Sequence, residues 1–164
     1  MSITNSRWGI LYCPKHCKSS SRKRWSKIES CLREHGIDFD FVQSERQTSV
    51  SRLVNMLIGN GYKTIVIVGG DSALNDAANC LMSVDKETRE SIALGLIPNG
   101  VMNDFAHYWG FKENDIDQTV KWLKGRRIRK IDLGCIRYTN AKNEKCHRYF
   151  LNCVNIGQIG RAHV

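Results

Sequence analysis

An apolar, β-branched run, Thr64-Ile-Val-Ile-Val-Gly-Gly-Asp71, stops abruptly on two glycines and an aspartate. The stretch that follows, Ser72-Ala-Leu-Asn-Asp-Ala-Ala-Asn-Cys-Leu-Met82, reads as a helix. A buried strand that turns on glycine into a helix leaves backbone N–H groups and the positive end of the helix dipole facing the turn. Glycine lets the chain turn there and lets an anion approach the backbone. The carboxylate of Asp71 would repel a bare phosphate, so it points to a cation or a sugar hydroxyl nearby. The plainer reading is that Asp71 caps a helix, a role aspartate serves well.

The pattern recurs once. Ser91-Ile-Ala-Leu-Gly-Leu-Ile97 is a second apolar run that ends in Pro98-Asn-Gly100. Val101 to Trp109 then reads as helix, with Asn103 and Asp104 in its first turn. Two such units place polar groups at the carboxyl ends of neighbouring parallel strands, where open α/β sheets bind their ligands.

At these residues the chain resembles the catalytic domain of diacylglycerol kinases and related lipid kinases. The family's Gly-Gly-Asp-Gly-Thr turn stands here as Gly69-Gly70-Asp71-Ser72-Ala73, followed by Leu74-Asn75-Asp76. Its Pro-x-Gly-Thr-x-Asn-Asp-Phe-Ala segment stands as Pro98-Asn99-Gly100-Val101-Met102-Asn103-Asp104-Phe105-Ala106. NAD kinases share the first motif, but the second resembles the lipid kinases. The likeness continues through Ile131-Asp132-Leu133-Gly134 and the Phe150-Leu151-Asn152…Gly157…Gly160 stretch.

The resemblance implies an α/β, three-layer, parallel-sheet nucleotide-binding domain over residues 1–127. Residues 128–164 would be the first strands of a truncated β-rich second domain, with the family's general base beyond them. It implies ATP and Mg²⁺ as cofactors and a lipid hydroxyl as acceptor. The implied nucleotide-binding residues are Gly69, Gly70, Asp71, Ser72, Asn75, Gly100 and Asn103, with Lys18 and Thr48. Asp71, Asp104 and Asp132 match an acidic network that organises Mg²⁺ and its waters. Asp132, taken alone within Lys130-Ile-Asp-Leu133, reads as a partner for a lysine.

Several positions depart from the pattern. A family glycine is Ser72, and family threonines are Ala73 and Val101. The Asn-Pro-x-Ser-Gly-Lys loop stands as Cys13-Pro14-Lys15-His16-Cys17-Lys18, keeping only the proline and the lysine. Two alternatives to a lipid kinase therefore stay open: a nucleotide- or membrane-binding homologue with weakened catalysis, and a soluble-substrate kinase of the NAD kinase type.

The net charge of +9 suits an anionic partner, and the basic residues cluster at Lys15–Arg24 and Lys124–Lys130. Anionic headgroups at a membrane surface are the functional reading, and solvated helix ends the plain one. Nucleic acid is not expected, because no nucleic-acid-binding motif accompanies the charge. Seven cysteines, an odd count, with no signal peptide or long apolar segment, point to reduced thiols in a cytoplasmic protein, and the lipid-kinase resemblance implies that it is peripheral to a membrane. Cys13-x-x-His16-Cys17 lacks a second pair at zinc spacing, so no structural zinc is expected there. Exposed apolar surface on a partial fold leaves homodimerisation open.

The remaining pattern supplies the other elements. Trp8–Tyr12 reads as a strand, Ser19–His35 as a helix stopped by Gly36, and Ile37–Val42 as an edge strand. Ser49–Asn60 reads as a helix with Leu53, Met56 and Leu57 on one face, and Asn114–Gly125 as another carrying Val120 and Leu123 inward. Ile131–Tyr138 and Arg148–Val154 read as a hairpin with a polar tip. Phe105, Trp109 and Trp122 are expected in the core.

Overall fold

The computed structural model describes residues 7–15, 18–45, 49–125 and 128–152, with the backbone alone at 18 and 19. Four parallel strands form one sheet: β1 (Trp8–Tyr12), β2 (Phe39–Gln43), β3 (Thr64–Gly69) and β4 (Ala93–Pro98), in the order β2-β1-β3-β4. The helices between them are α1 (Lys18–Glu34), α2 (Val50–Gly59), α3 (Asp71–Ser83) and α4 (Lys86–Glu90). After β4 come α5 (Asp104–Tyr108) and α6 (Ile116–Gly125).

Every residue of β1 and β3 is buried, because both faces of these central strands are covered. That is why they read as continuous apolar runs and not as alternation. Their side chains divide with period two. Leu11, Ile65 and Ile67 pack with α2 and α3 around Leu53, Val54, Leu57, Leu74 and Ala77. Ile10, Tyr12, Val66 and Val68 pack on the opposite face with Ile28 and Leu32 of α1 and Val120 of α6. The result is the expected three-layer α/β sandwich.

The edge strand β2 is only partly buried, and its charged end is engaged by Arg7. That guanidinium donates to both Asp38 and Asp40 at 3.1–3.3 Å. Charge on an edge discourages pairing with another chain. Gly36 (φ 63°) ends α1 as the pattern predicts, with its N–H on Arg33 O and the Ile37 N–H on Leu32 O.

Three readings need correction. Met56 is 40% exposed, so the inward stripe of α2 is Val50, Leu53, Val54 and Leu57. The short helix α4 was not foreseen; Asp85 caps it by accepting the Thr88 N–H at 2.9 Å. Residues 101–103 are not helical, and α5 begins only at Asp104. The cause is Asn103, whose φ of 54° is left-handed and cannot sit inside a right-handed helix.

A separate antiparallel hairpin, β5 (Gly134–Thr139) and β6 (Lys145–Phe150), follows; β5 begins three residues after the expected start and β6 three residues before it, and residues 153 and 154 of the second expected strand lie outside the described residues. Its tip is closed by the Asn140 side chain, which accepts from the Lys142 and Glu144 N–H groups. The hairpin docks on α3. Asn79 pairs with the Tyr149 backbone through both amide atoms, at 2.9 and 3.0 Å, and Arg148 pairs with Asp76.

Candidate functional site

The chain passes from β1 to β2 on one side and later returns to β3 on the other, so the sheet order reverses between β1 and β3. Ligands of open α/β sheets bind in the crevice at such a reversal, beyond the carboxyl ends of the strands. The loops there are stitched together by backbone and amide bonds. Cys13 N–H donates to Val68 O and Asn99 N–H to Gly69 O, both at 2.8 Å. The Asn99 side chain, 4% exposed, donates to Cys13 O at 2.9 Å.

The two glycine turns touch backbone to backbone. A Cβ on Gly100 would lie 2.4 Å from Gly70 Cα and 2.7 Å from Asn103 Oδ1, and one on Gly70 would lie 2.8 Å from Gly100 Cα. Only glycine fits at either place. Gly70 is also the N-cap residue of α3, with extended backbone and no side chain to cap the first amides. Those amides stay available to an anion at the end of a helix of 13 residues.

Asp71 stands at the start of α3 but caps a different helix. Its Oδ2 accepts the Asp104 N–H at 2.8 Å and its Oδ1 the Phe105 N–H at 2.9 Å. Asn152 Nδ2 adds a longer contact to Oδ1 at 3.3 Å. The carboxylate therefore occupies the positive end of α5 and binds the second turn to the first.

Asn103 is 2% exposed and folds back on its own loop: Oδ1 accepts from Gly100 N–H at 2.7 Å, and Nδ2 donates to Gly100 O at 3.0 Å. Its geometry is that of a loop brace. Asn75 differs, because its buried Oδ1 finds no partner among the described residues. An unpaired buried acceptor is costly, and a ligand donor would relieve it.

The sequence-derived residues thus divide. Gly69, Gly70, Asp71, Ser72, Asn75, Gly100, Asn103 and Asp104 gather around the two turns. Asp132 lies in the extended segment before β5, lining an apolar cavity of about 570 Å³ with Leu74, Phe105, Trp109 and Leu151. Asp71, Asp104 and Asp132 do not form a cluster with ligand atoms within 4.8 Å of one another among the described residues. Thr48 and the Lys18 side chain lie outside the described residues, as do His16 and Cys17.

Phe105 packs against the core, whereas Trp122 is 42% exposed and, with Trp109, faces the apolar cavity. Neither tryptophan is the fully buried core residue its helical spacing indicates, because both line the wall of this cavity. Val101 and Met102 are 90% and 65% exposed at the rim of the second turn.

Much of the basic charge has intramolecular work. Lys15 pairs with Glu113 at 2.7 Å, and Arg24 donates to Pro98 O and Glu113 O. Arg129 lies over the Trp109 ring at 6.0 Å, and Lys130 is 3.8 Å from Glu90. Cys13, which opens the altered Asn-Pro-x-Ser-Gly-Lys loop, stands at the β1 end of the crevice. Burial pushes its thiol pKa up, and the charge of Asp76 adds to this. Asn99 was missed because a residue between proline and glycine carries no signal of a contact made far away in the chain. Among the described residues, no helix is long and apolar enough to cross a membrane.

The architecture and the turns have counterparts. The family model of the diacylglycerol kinase catalytic domain matches residues 7–136. A Bacillus subtilis (strain 168) protein named as a lipid kinase, YtlR, is 24% identical over 155 residues, covering 93% of this chain and 48% of its own. A YegS-like protein of Yersinia enterocolitica, also named as a lipid kinase, is 31% identical over 127 residues, covering 77% of this chain and 39% of its own. The chain thus spans half or less of the length of these curated relatives. A diacylglycerol kinase crystal structure from Bacillus anthracis str. Sterne shares the fold with a TM-score of 0.66 at 20% identity, over 80% of this chain and 43% of that one. With the family match extending from residue 7, just before β1, into β5 and enclosing both glycine turns, the chain belongs to the diacylglycerol kinase catalytic domain family.

Proposed function

We propose that this chain supplies the nucleotide-binding half of an ATP-dependent lipid kinase that transfers the γ-phosphoryl group to a lipid hydroxyl. One observation carries the reading. At the sheet reversal, α3 presents amides that no side chain caps among the described residues, beside a buried Asn75 oxygen that finds no partner among them. That is an anion cradle with a hydrogen-bond acceptor set next to it.

In this reading the Gly70 turn and the first amides of α3 hold phosphate oxygens, and Ser72 adds a hydroxyl. Asn75 takes a donor from the nucleotide, and Asn103 keeps the second turn in place. Lys18 and Thr48 are retained as nucleotide contacts on the family resemblance alone. Mg²⁺ bound here would neutralise charge on the phosphates. Asp71, Asp104 and Asp132 would hold it through water, because the oxygens of Asp71 already bind amides and the three carboxylates do not converge. The hairpin is the start of a second domain, and the exposed basic residues contact anionic headgroups.

Transfer of radiolabelled phosphate from ATP to a panel of lipids tests the reading, using the full-length protein with Mg²⁺. Because Asp71 braces the fold, the informative variant is Asp104→Asn, whose exposed carboxyl can be changed without removing a cap. Label on a lipid that is lost in Asp104→Asn, with the fold intact, is the expected result. No label on any lipid from folded protein would overturn it.

A second reading, a nucleotide- or membrane-binding homologue with weakened catalysis, draws on Ser72, Ala73 and Val101. It predicts ATP binding without transfer.

A further inference from the structure

Far from the glycine turns, on the opposite face of the sheet, three side chains of different chemistry meet. Cys31 and His35 lie one turn apart at the end of α1, and Asp117 stands at the start of α6. The thiol sulfur, an imidazole nitrogen and a carboxylate oxygen all lie within 4.8 Å of one another. His35 Nε2 is 2.7 Å from Asp117 Oδ1. This is the one group of three such ligands among the described residues.

We propose that Cys31, His35 and Asp117 bind a divalent transition-metal ion of the zinc class, which clamps α1 to α6. Sulfur, imidazole and carboxylate together favour zinc or cobalt over magnesium, which takes oxygen ligands. Bonds of about 2.0–2.3 Å in a tetrahedron set ligand atoms about 3.3–3.6 Å apart. The three ligand atoms lie within 4.8 Å of one another, and the 2.7 Å pair opens by about 0.6 Å to reach that spacing, a side-chain adjustment.

The site is partly enclosed: Cys31 is 8% exposed, the His35 side chain 18% and the Asp117 side chain 57%. It opens onto a surface groove that also carries Ser30, Glu34 and Asp115, leaving room for a water to complete the tetrahedron. The second oxygen of Asp117 is held by Lys121 at 2.7 Å, and Lys124 donates to the backbone O of His35, so α6 orients one ligand and holds the chain that carries another. On binding, the Cys31 thiol gives its proton to solvent and binds as thiolate.

The test is titration of the reduced full-length protein with Co²⁺. Tetrahedral thiolate coordination gives a sulfur-to-cobalt charge-transfer band in the near ultraviolet together with visible d–d bands. Both are expected to saturate at one equivalent and to be displaced by Zn²⁺. Cys31→Ser should abolish the charge-transfer band. Asp117→Asn, at an exposed position that cannot harm the core, should keep the band but weaken Co²⁺ binding by about tenfold or more. Cys13→Ser and Cys146→Ser should leave the Co²⁺ spectrum unchanged. Absence of the band overturns the proposal, as does a band that survives Cys31→Ser or one that vanishes in Cys17→Ser instead.

Discussion

The β3–α3 and β4–α5 units carry the same sequence grammar, an apolar strand, glycine, an acidic residue and a helix, yet they are built differently. Helix α3 runs for 13 residues and buries Ala73, Leu74, Ala77, Ala78, Cys80 and Leu81 against the sheet. Helix α5 runs for five residues and buries only Ala106. A helix that short has little stability of its own. Its N-cap residue, Asn103, makes no side-chain cap and turns its amide onto Gly100. The cap comes from Asp71, 33 residues earlier in the chain. The first unit stands on its packing, and the second on the first. A residue of the candidate site can therefore hold the fold and the ligand crevice together, and loss of activity at Asp71 does not by itself assign a catalytic role.

The comparison can be broken in four places. The largest effect is expected at the contact between the units. Gly100→Ala puts a methyl group into the Gly70 backbone and should cost about 3 kcal/mol or more, read as a fall in the urea midpoint. Gly59→Ala, at a helix end where a Cβ meets nothing within 4 Å, is the control and should be neutral or stabilising by up to about 1 kcal/mol. Equal midpoints for the two variants would mean that the turns are not in backbone contact.

Asp71→Ala comes next. It removes two hydrogen bonds from α5 and should cost about 1–3 kcal/mol. The damage should be local, with amide exchange rising at Asp104 and Phe105 while the middle of α3 stays protected. If α3 and α5 exchange together, the dependence runs both ways and the distinction between the units fails.

Asn103 separates backbone strain from bracing. Asn103→Ala loses both bonds to Gly100 and keeps a left-handed backbone, for about 1–3 kcal/mol. Asn103→Gly relieves the backbone and should recover part of that loss. If glycine is no better than alanine in thermal unfolding, the side-chain bonds alone matter.

The smallest effect on stability is expected at Val101, which is 90% exposed. Val101→Thr should change stability by less than about 0.5 kcal/mol. Calorimetric titration with ATP should nevertheless show tighter binding, because a hydroxyl returns to the rim of the crevice. Unchanged binding would place the rim outside the nucleotide's reach.

Much of the framework was legible because it depends on local chemistry. The strands β1 and β3 announce themselves by unbroken β-branched and aliphatic runs, since both faces are covered. Gly36 and Gly61, with φ of 63° and 81°, end helices where the pattern places stops. Elements whose boundaries rest on a distant partner were read less well. Helix α5 starts late because Asn103 is held left-handed by Gly100, and the hairpin register is set where Asn79 grips Tyr149. Met56 and Trp122 fit a helical stripe by spacing, but the neighbours that would cover them are not on the side where the stripe points.

The family was suggested by the resemblance of two turn motifs, while periodicity and glycine placement were enough to specify a parallel α/β sheet and the region of the crevice. These follow from backbone sterics and the burial of apolar side chains, which act over a few residues at a time. The assignment of tasks within the crevice came from packing. Asp71 as the cap of another helix, Asn99 as the tie to Cys13, the unpaired oxygen of Asn75 and the meeting of Cys31, His35 and Asp117 all depend on contacts with other parts of the fold. A carboxylate or amide can serve as cap, ligand or brace with the same atoms. Only the position of its neighbours decides which, and that position is a property of the folded chain.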